Sequence, residues 1–144
     1  MFTTLHTQLG GVLWLGVCAL AVWKGDRPVR LAGLALGAGW LASLAAQAGS
    51  GGPVYWPIAA IDLILLLALA ALAWKSPRGW PAWAALFQLV LVASHLAMAV
   101  DLRISPRGYV TVLNGAAYAV LACLAFGVLQ TWRARARAIP AQPG

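Results

Sequence analysis

Two side chains in this chain could carry chemistry, and both sit in stretches that are otherwise apolar. Asp62 brings a carboxyl and His95 an imidazole, and Gln47, Gln88, Ser94, Asn114 and Tyr118 add hydrogen-bonding groups in similar surroundings. A carboxyl beside an imidazole can bind an ion, relay a proton or fix the head group of a small ligand. The same groups can instead only lock helices together, through interhelical hydrogen bonds worth ~1 kcal/mol each. Either way they must find partners, because an unpaired polar group in hydrocarbon costs several kcal/mol.

The stretch from Trp80 to Asp101 shows what kind of element positions them. No charge occurs between Gly79 and Val100, and roughly 20 apolar residues at ~1.5 Å rise cross a bilayer core. Pro81 near the start marks a helix beginning, and Trp80 and Trp83 mark a lipid–water boundary. On a helix Trp80, Ala84, Phe87, Leu91, Ser94, Met98 and Asp101 share one stripe, with Gln88 and His95 on its shoulder. That stripe must face other helices or water.

Composition generalises this to the whole chain. Of 144 residues 62% are hydrophobic and 9% charged, whereas a soluble domain carries about 25% charged residues. The expected fold is an all-α membrane protein, a bundle of five transmembrane helices with short loops. The spans read as roughly 6–23, 31–48, 54–74, 80–101 and 109–132, forming a single domain over residues 1–138, with residues 139–144 as a disordered tail. Loops this short leave no room for an extramembrane catalytic domain. Gly33 and Gly37 form a small-xxx-small step for close helix packing. Cys18 and Cys123 fall within spans and outside any CxxC, so they read as packing residues.

Charge sets the orientation. The net charge of +7 would suggest nucleic acid in a soluble protein, but here the cations gather at span ends, and nucleic acid is not an expected partner. With the N-terminus outside and the C-terminus inside, the inner side receives Lys24, Arg27, Arg30, Lys75, Arg78, Arg133, Arg135 and Arg137, and the outer side only Arg103 and Arg107. Arg133, Arg135 and Arg137 then read as an anchor to anionic lipids of the inner leaflet. Abundant Arg, Ala, Gly and Trp suggest a GC-rich bacterial genome, and hence a bacterial inner membrane. The same orientation gathers Asp62, His95, Asn114, Tyr118 and Gln47 in the outer half and leaves Gln88 in the inner half.

Three functions compete. The first is a component of a membrane assembly, either a homo-oligomer or an accessory subunit of a larger complex. The second is an oligomeric ion or proton channel or transporter that uses Asp62 and His95. The third is a quinone-, lipid- or haem-binding subunit. Haem would need His6 and His95 as ligands, and two histidines without supporting spacing argue for it only weakly. The sequence requires no cofactor and contains no metal-ligand cluster. With no H-E-x-x-H, G-x-S-x-G or phosphate-binding Gly loop, no catalytic residue is assigned and no enzyme is expected.

Overall fold

The computed structural model describes residues 5–49, 56–100 and 103–138; of residues 5–8 and 49 it describes the backbone alone. The described residues form five α-helices and no strand: α1 (Leu5–Lys24), α2 (Arg27–Gly49), α3 (Trp56–Lys75), α4 (Trp80–Val100) and α5 (Pro106–Ala138). Helices α2 to α5 are each long and apolar enough to cross a membrane, whereas the apolar part of α1, Leu9–Lys24, is shorter. The all-α bundle is therefore the fold. The tail at 139–144, and the start of the third span at 54–55, lie outside the described residues.

Helix boundaries differ from the hydropathy reading where polar caps move them. Helix α2 begins at Arg27 rather than 31, because Asp26 caps it: Val29 N donates to Asp26 Oδ1 at 3.4 Å, and Pro28 sits in the first turn. The basic loop shrinks to Gly25 and Asp26. Helix α5 begins at Pro106 rather than 109, because Gly108 N donates to Ser105 Oγ at 3.1 Å. This early start puts Tyr109 in the first turn of a helix. At its other end α5 runs to Ala138, well past the expected end at 132, so the arginine-rich segment is helical.

The helices form a ring. Each packs against its neighbour in sequence, α5 returns to α1, and α2 also touches α5 across the ring. Small residues set the closest approaches. A Cβ at Gly33 would fall 2.8 Å from Ala21 Cβ, and one at Gly39 2.7 Å from Leu65 Cδ1. One at Gly127 would fall 2.8 Å from the Trp80 ring. At Gly37 the nearest atom is 3.6 Å away, an ordinary contact. The Gly33–Gly37 step thus packs within the chain, against α1, and Gly33 is its critical member.

The two ends of the ring differ. Succession of the helices brings Lys24, Arg27, Arg30, Lys75, Arg78, Arg133, Arg135 and Arg137 to one end, the basic end, and Arg103 and Arg107 to the far end. Trp23, Trp74, Trp83 and Trp132 all stand exposed near the basic end, as aromatic rings do at a membrane interface. The continuous core, including Cys18, Ala21, Leu36, Leu69, Trp80 and Leu124, fills the ring from the basic end to its middle. Toward the far end the helices leave a cavity.

Candidate functional site

The far-end cavity has a volume of about 570 Å³, and all five helices line it. Leu36 and Leu65 belong both to its lining and to the core, so they form its floor. Trp14 and Trp40 supply aromatic wall, while Asp62, Gln88, His95 and Tyr109 supply a polar one.

That polar wall is one hydrogen-bonded chain across three helices. His95 Nε2 lies 2.9 Å from Asp62 Oδ2, which joins α4 to α3. Gln88 Nε2 donates to Asp62 Oδ1 at 3.0 Å and to the Asp62 carbonyl at 3.3 Å. Gln88 and His95 are two helical turns apart on α4, so they clasp Asp62 from either side. From α5, Tyr109 Oη lies 2.6 Å from His95 Nδ1, with the rings edge to face at 74°. His95 is 3% and Gln88 1% exposed, so neither could go unpaired without a penalty.

Donor and acceptor matching assigns the hydrogens. When Nε2–H donates to the Asp62 carboxylate, Nδ1 accepts from the Tyr109 hydroxyl, and both ring nitrogens and both carboxylate oxygens are engaged. If Nδ1 also carries a proton it becomes a donor, and the phenol oxygen accepts. The phenol hydrogen is then released for another acceptor. The chain thus links proton placement on a buried imidazole to hydrogen-bond donation at the cavity wall.

The residues singled out by sequence do not all join it. Gln88, expected in the inner half, bonds to Asp62 because it lies on the centre of the buried face of α4, with Leu91, His95 and Met98. Ser94 turns instead to its own helix, donating to the Val90 carbonyl at 2.7 Å. One residue is about 100° of helix rotation, so a face centred on His95 turns Ser94 aside. Gln47, Asn114 and Tyr118 line the cavity, but none of the chain's hydrogen bonds reaches them. The His6 side chain lies outside the described residues, and with it the second ligand of the haem alternative. Among the described residues no three His, Cys, Asp or Glu side chains group to hold a metal ion.

Tyr109 is the residue that sequence reasoning missed. The signal was present: Ser105-Pro106 is a helix cap, and a helix starting there places Tyr109 at the depth of His95. A second polar group, at the basic end, was also read only as charge. Asp26 pairs with Arg78, whose Nη1 lies 3.3 Å from Thr131 Oγ1. Arg135 donates to the carbonyls of Lys24 at 3.0 Å and Gly25 at 3.4 Å, capping α1. Spacing explains why one arginine of three docks there. Positions 133 and 137 share a helix face and 135 lies opposite, so Arg135 is the one turned toward the end of α1.

No protein-family model matches the chain, nor does any curated protein or solved structure, so what can be said of the site comes from its own geometry.

Proposed function

We propose that the chain is a ligand-binding subunit of a membrane assembly, whose far-end cavity takes a quinone-class amphiphile. The observation that carries this is a chain of acid, imidazole and phenol built into the wall of a cavity with an apolar floor. A volume of about 570 Å³ lies in the usual range for small-molecule sites, roughly 300–1,000 Å³. The indoles of Trp14 and Trp40 line the cavity and offer a flat ring aromatic contact, and its carbonyl oxygen accepts the hydrogen that the Tyr109 hydroxyl releases when His95 Nδ1 donates to the phenol oxygen. The short described loops between helices add no extramembrane domain, which suits an accessory role. Localisation to a bacterial inner membrane, with the far end outside, belongs to the same proposal and rests on the cation asymmetry.

Transport is the less favoured reading. The floor and the core beneath it are built from Leu36, Leu65, Leu69 and Leu124, and none of these side chains can carry an ion toward the basic end within one protomer.

The test is titration of the purified protein with a short-tailed benzoquinone. Quenching of Trp14 and Trp40 emission is expected, with thermal stabilisation of about 2.7 kcal/mol at a probe concentration of 100 Kd. His95→Ala and Tyr109→Phe should each weaken both responses. Absence of stabilisation at saturating probe in the intact protein sinks the quinone reading.

A further inference from the structure

At the basic end, on the outside of the ring, a second hollow of about 760 Å³ lies between α2 and α3. Its cause is local. The two helices meet at mid-length, where Gly39 accepts Leu65. Toward the basic end the facing positions are alanines, Ala32 and Ala35 on α2 and Ala68 and Ala71 on α3. Side chains that short cannot fill the space between the helices, and a groove remains.

Its two portions differ in chemistry. The membrane-buried portion is apolar, walled by those alanines with Leu31 and Leu72. The mouth carries Arg27, Lys75 and Arg78 against one carboxylate, Asp26, and Asp26 is already paired with Arg78. Three cations less one anion leaves +2 at the rim. Arg27 and Lys75 are exposed, and no ion pair engages them among the described residues. Trp74, 93% exposed beside Lys75, sets this mouth at the interface level.

We infer that this groove is a binding site for one anionic phospholipid. The phosphate sits at the mouth between Arg27 and Lys75, and an acyl chain lies along the alanine-walled channel. Charge complementarity selects the head group: a zwitterionic lipid brings its own cation to a rim that is already positive. Length selects a lipid over a free anion. From Arg27 to Ala35 the groove runs about 12 Å along α2, at ~1.5 Å per residue, and an inorganic phosphate leaves that length uncovered. Basic pockets between transmembrane helices recognise head groups in this way.

The test is native mass spectrometry of the intact protein, titrated in mild detergent with dioleoylphosphatidylglycerol or dioleoylphosphatidylcholine. One phosphatidylglycerol should be retained in preference to phosphatidylcholine. Each rim cation contributes about fivefold in affinity, so Arg27→Gln with Lys75→Gln should cost about thirtyfold. Arg133→Gln with Arg137→Gln removes the same charge from exposed positions elsewhere at that end and should leave retention unchanged. Ala71→Trp keeps every charge, fills the channel at an exposed position and should also lower retention. Equal retention of the two lipids overturns the inference. So does an equal loss in the Arg133/Arg137 pair, which marks general surface attraction, or displacement by millimolar inorganic phosphate, which marks a free-anion site.

Discussion

Asp62 is the hub of the polar chain, and its position predicts an order of effects. It accepts from both His95 and Gln88, so replacing it strands the His95 Nε2–H and one of the two Gln88 amide hydrogens, the other keeping its bond to the main-chain carbonyl at position 62. Asp62→Ala should therefore cost about 2–6 kcal/mol, at ~1–3 kcal/mol for each buried group left unpaired. Tyr109→Phe removes one hydroxyl at the edge of the chain, and ~1 kcal/mol is expected for an interhelical bond of this kind. Denaturant unfolding in detergent, followed by circular dichroism, measures both. Equal costs would show that the carboxylate is not the hub. The hydrophobic pattern marked Asp62, His95 and Gln88 as groups in need of partners. It could not say which would meet, because that depends on where each side chain stands on its helix face relative to its neighbours. Ser94, beside His95 in sequence, lost its place through one step of helix rotation.

Among the elements, α2 shows how a motif divides when helices actually meet. Gly33 and Gly37 are equivalent in sequence. In the bundle Gly33 faces Ala21 Cβ and the Cys18 carbonyl at 2.8 and 3.2 Å from a would-be Cβ, while Gly37 has ordinary room. Gly33→Ala should destabilise by roughly 1–3 kcal/mol through overpacking. Gly37→Ala should be neutral or stabilising, by up to ~1 kcal/mol, since alanine is the better helix former. Parallel thermal melts of the two variants decide this, and a larger loss at Gly37 would mean that the α1–α2 crossing is placed differently. Caps rather than hydropathy set the helix starts, at Asp26 and Ser105. Hydropathy is blind to such caps, because it averages over about 19 residues and a cap is a single side chain.

Over the whole molecule, asymmetry between the ends governs what the bundle can do. The basic end is closed by the core, and the Asp26–Arg78 pair and Arg135 tie its loops and helix ends together. These contacts are partly exposed, and each is worth at most about 1 kcal/mol. The far end opens into the cavity. With eight cations at one end and two at the other, the far end should face outward. In a background with Cys18 and Cys123 replaced by Ala, Arg107→Cys should react with an impermeant maleimide on intact cells. Ala134→Cys should react only after permeabilisation. The reverse pattern would invert the topology and turn the cavity to the inner side.

By itself the sequence determined the helical class and the gathering of cations at one end. Each follows from local composition: a run of apolar residues must bury its backbone polar groups in a helix, and the cations all lie outside such runs. It also marked the polar residues that could not be left alone. Only the tertiary structure decided that Tyr109 completes the chain begun by Asp62 and His95, that Gln88 joins it and Ser94 does not, and that four alanines leave a groove between α2 and α3. Those outcomes depend on the rotation and crossing of one helix against another. These are set by side-chain packing summed over the whole ring, and no local window of sequence contains that sum.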